Sequence, residues 1–431
     1  MLTVFYVYFL KKNRTFSLLK SYFMKKYYML FMAVLFALTS CKKEKINTDN
    51  YEYSGALGDI IQIISENNYT PTQVQALLPS EISSLVHLKY NTTVYTIEYK
   101  SQNNNGDTVK ASGIIIVPQV DSFAIPLSSY QHGTTLRKRD APSVNKGSEY
   151  LLNLAASCDK GIVSCVPDYL GLGTGDGLHL YLNPREEANS VRDILRAARK
   201  LVKQKHNAVL NGQVVLFGYS QGGHATMAAQ RQLELENPKE FKLTASAPMA
   251  GPYALSRTSQ FDLIFDSVYY PNPFYLPYVA VSLFNSYPGI YHSYSQIFKA
   301  PYDSLVPAII DGYHSAGYAN TKFPDYVSNM IIDSVKAAIK SNPQYPIRLA
   351  LRGFDLVDDW TPTTPMRLYH CHGDDNVFFD NATYADSVFR ARGATIELID
   401  MGNSDHTDCA PPSLLLGSTW LSTFFRYDKI K

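Results

Sequence analysis

Ser220 lies in Gly218-Tyr219-Ser220-Gln221-Gly222-Gly223, directly after the apolar run Val214-Val215-Leu216-Phe217. A serine hydroxyl is a poor nucleophile unless it is held out on a sharp strand-to-helix turn and served by a base. The surrounding glycines let such a turn close without Cβ clashes. A lone G-x-S-x-G pentapeptide is common by chance, so its weight depends on an acid and a base later in the chain. Downstream come Tyr369-His370-Cys371-His372-Gly373-Asp374-Asp375-Asn376-Val377-Phe378 and then Asn403-Ser404-Asp405-His406-Thr407-Asp408-Cys409, each after an apolar segment of strand length. Serine, then acid, then histidine, with the last two in loops after later strands, is an order that supports acyl transfer. Asp374 is the expected acid and His406 the expected base.

Asp375 competes for the acid role. Many hydrolases place the acid three residues after a glycine and four before a proline; here Cys371 and Phe378 occupy those places, and both counts select Asp374. The transition state also needs two amide donors for its oxyanion. Gln221, the residue after the serine, supplies one. His132-Gly133-Thr134, at the end of an earlier apolar segment, supplies the other, with Thr134 preferred to Gly133. His132 is expected to shape that loop, His224 to pack or cap the following helix, and Asp168 to structure a loop ahead of the serine. A rival reading takes His370-Cys371-His372-Gly373-Asp374-Asp375 as a metal motif, which would put a metal-bound water in place of Ser220. That motif normally lies early and is followed by several histidines; here only His406 follows, so no metal and no cofactor is expected.

These positions require a scaffold of alternating strands and helices. Two alternating segments, 94–99 and 109–117, joined by a turn ending Asn105-Gly106-Asp107, make a hairpin. Strands follow at 124–130, 161–167, 214–217 and 243–249, interleaved with helices at 186–205 and 223–236, which argues for a mainly parallel sheet covered by helices. Residues 56–88 show helical apolar spacing broken by Pro71 and Pro79, predicting short helices. Between 251 and 330 there are 18 aromatics in 80 residues, well above the 13% of the whole chain. That density, with the loss of regular alternation, predicts an inserted, mainly helical cap over 251–365, suited to an apolar acyl group or an aromatic ester unless the rings form the cap's own core. Sheet segments resume at 366–371 and 395–401, and a last helix is expected after Pro412. The core is therefore 56–250 and 366–431.

The chain has 431 residues and a formal net charge of +2, but residues 1–40 hold six basic and no acidic residues. The remainder has 34 basic against 38 acidic residues, which gives no basic surface for nucleic acid. Lys25-Lys26, a 12-residue apolar run and Leu38-Thr39-Ser40-Cys41 form a complete export signal if Met24 is the start. Leu38-Thr39-Ser40-Cys41 resembles the bacterial lipobox, which implies cleavage of 1–40, lipidation of Cys41, and a polar tether over 41–55 that anchors the enzyme to an envelope membrane, the outer membrane or a periplasmic face. Four further cysteines permit two bridges in an oxidising compartment. Proximity suggests Cys158–Cys165, and the flanking of the acid and base loops suggests Cys371–Cys409; four buried free thiols are the alternative.

Taken together, Tyr130-Gln131-His132-Gly133-Thr134, Pro167-Asp168-Tyr169-Leu170-Gly171-Leu172-Gly173, Arg196-Ala197-Ala198, Gly218-Tyr219-Ser220-Gln221-Gly222-Gly223-His224, the Asp374 segment and Asp405-His406 resemble the α/β-hydrolases of the secretory lipase/esterase group, including bacterial lipoprotein members. The resemblance covers about 90–250 and 366–425 and implies an α/β-hydrolase fold and cleavage of small-molecule or lipid esters. Peptidase or thioesterase activity on the same triad, or a non-catalytic surface binding protein on the same scaffold, are the alternatives. Cys371 in place of the usual glycine departs from the pattern.

Overall fold

The structure, a computed structural model, describes residues 51, 53–83 and 86–430. Cys41 and the expected signal lie outside the described residues. Strands β1 (Ile60–Tyr69), β2 (Thr92–Gln102), β3 (Thr108–Pro118), β4 (Phe123–Gln131), β5 (Val163–Pro167), β6 (Val209–Tyr219), β7 (Leu243–Met249), β8 (Met366–His370) and β9 (Ile396–Asp400) form one sheet in the order β1-β2-β3-β5-β4-β6-β7-β8-β9. From β5 to β9 every neighbouring pair is parallel, whereas β1, β2 and β3 pair antiparallel at one edge. A short β10 (Asp428–Lys429) pairs with the start of β4. The sheet is mixed and mainly parallel, flanked by helices: an α/β-hydrolase fold.

The helices in chain order are α1 (Pro71–Leu77), α2 (Ser80–Ser83), α3 (Ser148–Lys160), α4 (Pro184–Lys205), α5 (Gln221–Glu236), α6 (Tyr275–Ser286), α7 (Tyr302–Ile309), α8 (Ala316–Asn320), α9 (Asp333–Ser341), α10 (Pro346–Arg352), α11 (Asp380–Ala391) and α12 (His406–Ser422). Parallel strands buried on both faces need helices on both sides. On one face α4 and α5 pack Val191, Ile194, Leu195 and Leu233 against Ile97, Ile115, Leu127 and Leu216. On the other face α3 and α12 pack Leu154, Cys158, Cys409 and Leu414 against Ile114, Val166, Val215 and Ala247. Between β7 and β8, helices α6 to α10 build a separate core that includes Phe274, Tyr278, Phe298, Val306, Val327 and Phe354. No helix among the described residues is long and apolar enough to cross a membrane.

Three expectations are corrected. Residues 60–69 form strand β1, not a helix: eight of its residues pair with β2, and exposed and half-buried positions alternate along most of its length. Edge pairing with a long neighbour overrides a local spacing that fits a helix equally well. The last helix starts at His406, earlier than Pro412, because Asp405 caps it by accepting from the Asp408 amide (2.8 Å), and Pro411 and Pro412 sit inside it. Cys158 and Cys165 are free, not bridged. Cys158 belongs to the core on one face of the sheet and Cys165 to the core on the other, so the strand itself separates them. Cys371 and Cys409 do form a disulfide.

Candidate active site

Ser220 sits between β6 and α5 with φ 61° and ψ −124°, a positive-φ conformation rare for a residue with a side chain. Such a backbone persists only when its surroundings over-determine it. Here the Ser220 amide donates to Met249 O (2.9 Å), and Ser220 O accepts from the Gly223 amide (2.8 Å). A Cβ on Gly222 would collide with Gln131 O, and one on Gly223 with Met249 O. The glycines are therefore required by the close approach of α5 to the ends of β4 and β7.

The structure brings the three distant side chains together. Ser220 Oγ donates to His406 Nε2 at 2.8 Å, and His406 Nδ1 donates to Asp374 Oδ2 at 2.6 Å. All three are buried. Asp374 Oδ1 accepts from the amides of Asn376 (3.0 Å) and Val377 (2.8 Å), so the turn after β8 orients the carboxylate. Burial opposes its charge, but hydrogen bonds from His370 and His406 outweigh that and hold the carboxyl well below the ordinary range. Asp375 does not reach the imidazole ring; its Oδ1 accepts from the backbone amide of His406 (3.3 Å) and from Asn376 Nδ2 (2.8 Å). The Cys371–Cys409 disulfide, Cα–Cα 6.0 Å, ties the acid loop to α12 three residues from each partner.

Of the two expected oxyanion amides, Gln221 lies at the first position of α5 and Thr134 in the loop after β4. The neighbouring Gly133 amide is taken by Glu149 Oε1 (3.1 Å), and the Thr134 hydroxyl pairs with the Tyr181 hydroxyl (3.1 Å). His132 packs inside that loop, its Nδ1 bonded to Gly133 O (2.7 Å) and its Nε2 to Asp168 O (3.1 Å). Asp168 accepts from the Ser143 amide (2.9 Å) and from the hydroxyls of Ser112 (2.6 Å) and Ser143. The residues of the metal motif diverge. His370 is buried and donates to Val377 O (2.8 Å) and Asp374, Cys371 is in the disulfide, and exposed His372 pairs with Asp400 (2.9 Å). Among the described residues no group of three or more His, Cys, Asp and Glu could hold a metal ion.

Ser220 opens into a narrow cleft lined by Tyr181, Phe261, Tyr270, Tyr275, Leu276 and Val377, among others. A second, small and apolar cavity lies inside the insertion, and Ile264, Leu276, Val279 and Leu351 line both. The aromatic residues thus serve both readings: Phe274, Tyr278 and Phe298 form the insertion's own core, while Tyr181, Tyr270 and Tyr275 face the serine's cleft. Two polar residues escaped the sequence reading, His179 and Glu187 behind Gln221, whereas His370, read there only as part of a metal motif, contacts the acid. Local spacing carried no signal for His179 and Glu187, since each meets Gln221 across the fold.

Residues 138–246 match the model of the secretory lipase family. Among solved structures, a protein of Legionella pneumophila described as a hydrolase superposes with a TM-score of 0.76 at 26% identity, over 85% of this chain and 98% of that chain. The rice cell wall degrading esterase LipA from Xanthomonas oryzae gives 0.73 at 28% identity, over 86% of this chain and 100% of that chain. Candida antarctica lipase A in its closed state gives 0.63 at 16% identity, over 90% and 86%, a likeness of fold alone. No curated protein sequence matches. A strand–serine–helix elbow on this sheet order and neighbours aligned over nearly their whole length give the chain the α/β-hydrolase fold, and the segment that runs through the elbow is similar to the secretory lipase family.

Proposed function

We propose that the chain is a serine carboxylic-ester hydrolase working through an acyl-enzyme. The observation that carries this is the chain of contacts from Ser220 Oγ to His406 (2.8 Å) to Asp374 (2.6 Å), opening on an apolar cleft. Ser220 attacks the ester carbonyl while His406 Nε2 takes its proton; Asp374 orients the ring and stabilises the imidazolium. The amides of Gln221 and Thr134 receive the oxyanion, a contribution of roughly 3 kcal/mol per donor in comparable sites. His406 then protonates the departing alcohol, and water activated by the same imidazole hydrolyses the acyl-enzyme. No cofactor or metal enters this scheme.

The cleft is lined mainly by apolar side chains, which favours an ester with an apolar acyl group. The secretory lipase match and the esterase neighbours support ester hydrolysis, and the family match supports export. In this reading Cys41 carries the lipid that holds the enzyme at an envelope membrane. A fluorophosphonate probe tests the nucleophile: it is expected to label the wild type at Ser220 and to leave Ser220→Ala unlabelled, with p-nitrophenyl ester hydrolysis lost in parallel. Equal labelling of both proteins would sink the proposal. Peptide amides and thioesters assayed beside the esters decide the leaving group.

A further inference from the structure

Behind the elbow lies a group of buried polar side chains that the scheme above leaves unused. Gln221, whose backbone amide is the proposed oxyanion donor, has its side chain wholly buried. Its Nε2 donates to Glu187 Oε1 (2.8 Å) and to His179 Nε2 (2.7 Å). The proton positions follow from the outer partners. His179 Nδ1 lies 2.9 Å from Leu170 O, which only accepts, so Nδ1 carries the hydrogen and Nε2 is a bare acceptor. Burial pushes the His179 pKa down to about 3, which keeps that ring neutral. Both amide hydrogens of Gln221 are therefore engaged. A flipped amide would turn its oxygen toward a carboxylate and a lone pair, so one orientation fits.

Glu187 is held in turn. Its Oε2 lies 2.6 Å from His224 Nδ1, and His224 Nε2 donates to Phe354 O (3.0 Å) in the insertion. Glu187 and His224 are both completely out of water. Taking a carboxylate and an imidazole from water is costly even when they pair, so burial of the pair as a stabilising device alone is a weak explanation. The network also reaches the second proposed donor. The Tyr169 ring stacks on His179 (5.6 Å between centroids) and packs at a tilt against His132 (4.3 Å), and its hydroxyl donates to His132 O (2.9 Å), two residues before Thr134.

We propose that Glu187, His179 and His224 are positioning residues for the oxyanion site: they clamp the Gln221 side chain so that its backbone amide stays aimed at the developing negative charge. This rests on the serine-esterase reading. The amide must meet the oxyanion at hydrogen-bond distance, and small displacements there are expensive in rate because the donor is useful only when it needs no reorganisation.

The test uses Glu187→Leu and Gln221→Met, which keep volume and remove the hydrogen bonds, with Ser220→Ala as control. For correctly folded variants kcat on p-nitrophenyl esters is expected to fall about tenfold to a hundredfold, with KM within about threefold. A trifluoromethyl ketone, which forms the tetrahedral adduct, should lose affinity by a similar factor, whereas the carboxylic acid product should not. Should Glu187→Leu fail to fold, Gln221→Met carries the same readout, and Glu187→Gln, which still accepts from Gln221, should recover most of the lost kcat. Unchanged kcat in a folded variant overturns the proposal, as does equal weakening of ketone and product, which marks a merely structural role. If Ser220→Ala retains activity, it is the underlying esterase reading that fails.

Discussion

Two neighbouring carboxylates, Asp374 and Asp375, both contact His406, but through different atoms. Asp374 meets the ring at Nδ1, and Asp375 meets the main-chain amide. A carboxylate at Nδ1 fixes the tautomer that leaves Nε2 free to accept a proton, so the two residues are not interchangeable. Asp374→Asn is expected to lower kcat roughly 10³- to 10⁴-fold, by analogy with the same exchange in other triads. Asp375→Asn, which keeps an acceptor for the His406 amide, should cost less than about tenfold. Steady-state kinetics on the two variants checks both, and a larger loss in Asp375→Asn would reverse the assignment. His370 gives Asp374 a second imidazole contact (3.1 Å) whose remote Nδ1 is buried without a partner. Its place at the end of β8, four residues before the acid, was visible as a spacing but open to a metal reading until the ring's direction was known.

At the scale of elements, the ends of strands and helices do the positioning. The disulfide joins the turn after β8 to the first turn of α12, closing a loop with a sequence separation of 38 residues. Replacing both cysteines by serine is expected to lower unfolding stability by roughly 4 kcal/mol on the chain-entropy account, and to reduce kcat, since the acid and base then keep only their hydrogen bonds. Urea unfolding and ester kinetics on the double variant measure the two effects. Helix α4 carries a different signature. Glu186, buried in its first turn, is pushed up to about 7 by burial; the Asn104 amide (2.9 Å) opposes this, and the neighbouring Glu187 adds to it. A folded carboxyl raised above its unfolded value holds its proton longer in the native state, so its contribution to stability is greatest below about pH 4.5 and falls as pH rises toward 7. Asp374 has the opposite sign: held low, it costs stability only as pH drops below the ordinary carboxylate range. Glu186→Gln should therefore gain on the wild type by about 3 kcal/mol between pH 4.5 and 7.5, read from urea midpoints. A constant difference across that window would refute the shift.

For the whole molecule, the sheet presents the serine and the insertion between β7 and β8 supplies most of the apolar wall in front of it. Leu351 faces both the serine's cleft and the deeper cavity. If the acyl chain of the substrate extends into this space, Leu351→Trp should lower kcat/KM for long-chain p-nitrophenyl esters by about tenfold or more relative to the acetate. A chain-length profile identical to the wild type would show that the acyl group lies elsewhere.

Much of this was legible in one dimension because it is written in local chemistry. Glycines mark the close backbone approach after the serine, alternation and helical spacing mark the elements, and Ser220, Asp374 and His406 each follow a segment that reads as a strand. Covalent neighbours alone could not assign β1, whose spacing suits helix or strand until β2 offers an edge, or the cysteines, since Cys158 and Cys165 are seven residues apart yet belong to opposite faces of one sheet. The clamp of Glu187, His179 and His224 on Gln221 was equally invisible. Hydrogen bonds between residues tens of positions apart depend on burial and direction, and those exist only once the sheet and its helices have packed.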